Sequence, residues 1–153
     1  MFKHREEVTH LIFADGFDIP LEDTARRQRA VSVARTVAND LGKSLIEVHT
    51  DLQLFTRDIG LRWEVYHGAT LAAVALLFQD LLGRVLIPAS FSYADLFLRG
   101  SHPRRDPLWS TERTTIEHSS CEATRVEKAG YVSAYPVAMR NLRVCTQHHA
   151  GYN

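Results

Sequence analysis

Cysteine is scarce in this chain: Cys121 and Cys145 are the only two in 153 residues. Two thiols cannot staple a chain of this size, which argues against a disulfide-built scaffold and makes a reducing cytoplasm the expected setting. An excess of charge is also lacking, with 18 basic and 18 acidic residues. Nothing in that balance calls for a nucleic-acid or membrane partner. Long apolar runs are missing as well. Residues 69–78 are apolar apart from Thr70, but the run is too short to cross a bilayer and leads into Gln79 and Asp80. The N-terminal MFKHREEVTHLIF is charged and has no apolar core of the kind a signal peptide carries. No G-x-S-x-G elbow, G-x-G-x-x-G turn or Walker A loop occurs.

What is present suits one globular domain over 1–153. The chain is 45% hydrophobic, and its length is that of one domain with a sizeable core. Only Lys3, Lys43 and Lys128 are lysines, against fifteen arginines. Arginine suits bidentate contacts to carboxylate or phosphate, although compositional bias explains the same count.

Hydrophobic patterning predicts strands over 9–14, 44–50, 84–89, 114–118 and, more briefly, 142–145. It predicts helices over 21–41, 63–82 and 122–132. The helix over 63–82 is apolar nearly all round, so deep burial is expected of it. Arg26, Arg27 and Arg29 fall opposite the apolar stripe at 30, 34, 37 and 41 and are expected to be its solvated face. Strands alternating with helices imply right-handed crossovers and a parallel sheet covered on both faces.

In such a sheet, ligands bind over the carboxyl ends of the strands. Three polar clusters fall at those ends: Asp15 with Gly16 and Asp18, Thr50 with Asp51, and Ser90 with Ser92. Each also serves as ordinary turn chemistry. His67-Gly68, near a helix start, offers either close backbone approach to an anion or a packing glycine beside a core histidine. The segment 100–128 carries the densest chemistry. Its first part, GSHPRRDPLWSTE over 100–112, contributes Ser101, His102, Asp106, Ser110, Thr111 and Glu112. A long irregular segment in a compact domain is usually functional. Ser101, His102 and Asp106 do not read as a hydrolase triad, because adjacent Ser and His rarely face each other. Cys145, His148 and His149 are metal-ligand types, with a spacing that is a weak zinc signal.

Taken with HTDL at 49–52, HGATLAA at 67–73, TRVEK at 124–128 and NLRVC at 141–145, the segment at 100–112 resembles the PP-loop ATP pyrophosphatase superfamily. The likeness is to members related to 7-cyano-7-deazaguanine synthase and the synthetase part of asparagine synthase, and it covers nearly the whole chain. It implies a three-layer, Rossmann-like α/β fold of the adenine-nucleotide α-hydrolase kind. It implies an adenylating ligase or amidotransferase that uses ATP and Mg²⁺, activates a carboxylate or carbonyl of a small molecule, and releases pyrophosphate. Arg125 and Lys128 are the implied positive groups, with Asp15, Asp18 and Asp106 as metal or substrate acceptors. The family's SGGxDS loop has no counterpart here, and residues 9–14 match the family's second strand. The expectation is therefore an internal fragment without the first strand, inactive alone and prone to self-association through exposed strand edges. Relatives of this kind continue into further cysteines, so Cys145 is expected to bind zinc only in a longer chain. The alternative is a non-catalytic small-molecule or nucleotide binding module.

Overall fold

In the computed structural model, which describes residues 4–142, four short strands form two separate parallel pairs. The first pair is β1 (His10–Asp15) and β2 (Ser44–His49), in register from His10 opposite Ser44 to Asp15 opposite His49. The second is β3 (Arg84–Pro88) and β4 (Thr115–Ser119), from Arg84 opposite Thr115 to Pro88 opposite Ser119. α1 (Thr24–Asp40) joins β1 to β2, and α2 (Leu52–Asp58) and α3 (Trp63–Leu76) lie between β2 and β3; α4 (Arg125–Ser133) and α5 (Pro136–Asn141) follow β4. The fold is mixed α/β, as expected, but the single parallel sheet is not formed. β1 and β3 do not pair, and among the described residues every strand has one edge free of strand bonding.

Side-chain contacts link the surroundings of the two pairs at both ends. At their amino ends, Arg84 of β3 reaches Glu7, just ahead of β1, at 2.5 Å. At their carboxyl ends, Phe17 after β1 packs on Trp63 at 5.1 Å between ring centroids, and Trp63 borders the cavity that opens beyond β3 and β4.

Local chemistry explains the element boundaries. Asp23 caps α1 by accepting from the Arg26 N–H at 3.1 Å. Thr124 and Glu127 form a reciprocal capping box, which moves the start of α4 from the expected 122 to Arg125. α2 and α5 were not expected. α2 follows a turn in which the Thr50 hydroxyl accepts from Leu52 N–H, and Pro136 occupies the first turn of α5, where its missing N–H costs nothing. α3 stops at Leu76 rather than 82. Its last turns tighten to three-residue bonds, Phe78 to Ala75 and Leu81 to Phe78, before the chain enters β3. The strand expected over 142–145 lies outside the described residues apart from Leu142, which is non-helical and unpaired.

The core is small. Ala72 of α3 meets Ile87 of β3 and Ile116 of β4, flanked by Leu71, Leu76 and Val85. Deep burial of the whole apolar helix does not occur: Val65 and Leu77 are 59% and 73% exposed. Strands of a covered parallel sheet are normally buried on both faces. Here Leu11, Ile12, Phe13 and Ala14 of β1 are only half-buried.

Candidate functional site

Two polar networks and two cavities occupy the carboxyl ends of the strands. The richer network sits at the end of β4. Asp106, in the short 3₁₀ segment Asp106–Trp109, is completely buried. Its Oδ2 accepts from His118 Nδ1 at 2.6 Å and from the Ser101 hydroxyl at 2.6 Å, and its Oδ1 accepts from the His102 N–H at 3.1 Å. Burial pushes the Asp106 carboxyl up, but the donors from His118, Ser101 and His102 outweigh it and hold the group below its ordinary value. Ser101 Oγ also lies 3.2 Å from His118 Nδ1.

A serine, a histidine and an aspartate are thus in contact, yet this is not a hydrolase triad. There, the acid and the serine use opposite nitrogens of the imidazole. Here both meet Nδ1, and the serine hydroxyl donates to the carboxylate, so nothing activates it as a nucleophile. The arrangement instead fixes the His118 tautomer with its proton on Nδ1. The other nitrogen, Nε2, makes no hydrogen bond among the described residues, and the ring borders the adjoining cavity.

That cavity measures about 190 Å³. Trp63 and His67 of α3 form one wall; Ser90, Phe91, Phe97 and Arg99 from the segment after β3 form another; Ser101 and His118 close it. The Arg99 guanidinium lies over Phe91 and Phe97, 5.8 and 5.6 Å from their centroids, and forms no salt bridge among the described residues. Stacking of this kind orients a guanidinium while leaving its N–H groups open to a ligand. His67 Nδ1 donates to the Trp63 carbonyl at 3.2 Å. Burial, reinforced by Arg99, pushes its pKa below the usual 6.5, so the ring is neutral near pH 7.

The loop reaches this position through a glycine pair. A Cβ on Gly68 would collide with the Gly100 carbonyl, and a Cβ on Gly100 would press on the backbone of α3. Gly100 N–H donates to the Glu64 carbonyl at 2.7 Å. Gly68 is therefore a packing glycine that seats the loop, not a contact for an anion.

The second network, at the end of β1, withdraws Asp15 from the ligand edge. Asp15 is 3% exposed; its Oδ2 accepts from Arg27 Nε at 2.6 Å and His49 Nδ1 at 3.0 Å. Arg27 is consequently turned inward, not solvated as its place in the sequence suggests, and it also donates to the Leu21 carbonyl at 2.8 Å. Asp15 Oδ1 is buried with no partner among the described residues. Thr50 serves the turn into α2, and its carbonyl abuts Gly16, whose φ of 103° no residue with a side chain adopts easily. A second cavity of about 280 Å³ lies beside this network, lined by Phe17, Asp18, Arg57 and Tyr66, with Trp63 shared between the two.

Comparison of the chain with protein-family models, with curated proteins and with solved structures finds no match. The reading of the site therefore rests on its own chemistry.

Of the expected site residues, His67, Ser90 and Ser101 border the first cavity and Asp18 the second. His102 shapes the loop through its backbone and through Nδ1, which accepts from Arg104 N–H. Ser110, Thr111 and Glu112 lie elsewhere. Ser110 Oγ accepts from Ile116 N–H at 2.9 Å and Thr111 closes a turn onto Thr114, so both sit where β4 begins, at the edge opposite the cavity. Glu112 is exposed in the same turn. Lys128 donates to the Ala89 carbonyl at 3.0 Å, and Arg125 is exposed and does not border the cavity. Cys145 lies outside the described residues. The important residues not foreseen are His118, Arg99 and Trp63. A histidine closing a predicted strand was the one available signal for His118; Arg99 carried none beyond its position ahead of Gly100.

Proposed function

We propose that this chain is part of an ATP-dependent adenylating ligase or amidotransferase of the PP-loop kind, and that the 190 Å³ cavity receives the small molecule whose carboxylate or carbonyl is activated. The observation that carries this reading is the open sheet. β1 with β2 and β3 with β4 form two separate parallel pairs that no described strand joins, and the resemblance calls for a strand and a phosphate-gripping loop between them. Completed in that way, the two pairs become the three-layer Rossmann-like sheet, with ATP above the inserted strand and the cavity beside it. Arg125, the first residue of the helix after β4, is the group this reading assigns to the charge that a transferred phosphate develops.

Of the expected carboxylates Asp15, Asp18 and Asp106, two are already committed to other partners and do not fit Mg²⁺, while Asp18 borders the second cavity. Asp106 is spent on His118, Ser101 and the loop backbone, and Asp15 on Arg27 and His49. No catalytic step is derived through a metal here. The same observation favours a second reading, a module that binds a small molecule without turning over ATP. The purified chain alone is expected to give no ATP–pyrophosphate exchange, and to gain it when co-expressed with a polypeptide carrying an SGGxDS strand and loop. Exchange by the chain alone would overturn the placement of the nucleotide. No exchange with the added polypeptide, despite stable association of the two, would favour the binding module.

A further inference from the structure

We propose that His118 is a proton acceptor for a small ring-bearing weak acid bound in the 190 Å³ cavity, with Arg99 pairing the anion formed and Asp106 positioning the imidazole. This concerns the cavity alone and does not depend on the ATP reading.

Three features around this cavity carry it. First, a completely buried carboxylate holds His118 by Nδ1, which leaves the Nε2 lone pair as the ring's working atom at the cavity. A histidine held this way is preset to take a proton, because the imidazolium that results is balanced by Asp106 without any rearrangement. Second, Arg99 supplies a fixed positive charge in the same cavity, stacked on Phe91 and Phe97 and without a carboxylate of its own among the described residues. Third, His67 is bonded through Nδ1 to the Trp63 carbonyl and stays neutral, so it offers no competing charge and only a second acceptor. Trp63, Phe91 and Phe97 give the cavity aromatic walls, and its size suits a single substituted ring.

The step is a simple proton transfer. The ligand's O–H or N–H bond breaks, its electron pair stays on the ligand as an anion facing Arg99, and a new N–H bond forms at His118 Nε2. Ser101 takes no part as a nucleophile, since its hydroxyl proton already points at Asp106.

The test uses para-nitrophenol, a ring-bearing weak acid whose anion absorbs in the visible. In the intact chain, the bound dye is expected to be more ionised than free dye at the same pH, by about tenfold in the anion-to-acid ratio, one unit of apparent pKa. His118→Gln is expected to bind the dye but abolish that increase. Asp106→Asn is expected to reduce the increase with binding retained, and Arg99→Leu to weaken binding itself. Should a variant fail to fold, the ¹⁵N shift of His118 Nε2 in the wild-type chain decides: it is expected to move from the unprotonated to the protonated range as dye is added. Dye ionised equally in His118→Gln, a His118 Nε2 shift that does not move on binding, or no binding up to the dye's solubility limit would each overturn the proposal.

Discussion

Asp106 and His67 tie the stability of the site to pH. Both are held below their ordinary values, 3.8 and 6.5, so the unfolded chain takes up protons more readily than the folded one. Their contribution is complete above those ordinary values and is lost as pH falls through the depressed folded ones. Thermal melts are expected to show a first loss of stability as acid is added below 6.5, which His67→Gln flattens, and a second below 3.8. Asp106→Asn at neutral pH is expected to cost about 3 kcal/mol, because it removes the buried carboxylate that accepts from His118, Ser101 and the His102 N–H. A Tm unchanged in that variant would mean that the network is ornamental to stability. Close backbone contact makes a further residue critical. Gly68→Ala is expected to cost about 2 kcal/mol through overpacking against the Gly100 carbonyl, and to shift the His118 and Ser101 resonances as the loop moves. Gly83→Ala, where an added Cβ meets nothing within 4 Å, is the matched control.

Among elements, the pairing of β3 with β4 has a charged clamp at its amino end. Arg84 bonds Glu117 through two nitrogens, at 2.8 and 2.7 Å, and also reaches Glu7. Both glutamates are held below their ordinary values, first of all by the Arg84 hydrogen bonds. The clamp is solvent-exposed, so its stabilisation is modest and screened by salt. Arg84→Ala is expected to lower Tm slightly at low ionic strength, with the difference vanishing in high salt. A large, salt-independent loss would show that Arg84 matters for packing instead. At the other end of the same strands, backbone bonds from Ala89 to Ser119 and from Tyr93 to Cys121 tie the two exit segments together. That tie brings Ser90 and His118 to one cavity.

At the scale of the molecule, the unpaired edges of β1 and β3 dominate. The strands carry half-buried apolar residues, and Phe55, Ile59 and Val65 elsewhere on the surface are 61%, 58% and 59% exposed. Open parallel edges and uncovered apolar surface promote association. Sedimentation velocity is expected to show concentration-dependent association of the purified chain. A monodisperse monomer with a sharp cooperative melt would count against the open-sheet reading.

The strand and helix types were legible in the sequence because they rest on local periodicity. β1, β2, β3, β4, α1 and α4 fall within a few residues of their expected places. Of the segment 100–112 singled out for its chemistry, only the part up to Asp106 meets the cavity region, while Ser110, Thr111 and Glu112 turn into the start of β4. An incomplete sheet was expected only through the resemblance and not from the local pattern, because pairing depends on which edges meet in space. The fate of particular carboxylates was not legible either. Asp15 reads as a ligand group until Arg27, twelve residues away, folds back onto it. His118 reads as the end of a strand until Asp106 is placed beneath it. Local sequence determined what each segment is; only tertiary packing decided which charges neutralise one another and which nitrogen is left facing open space.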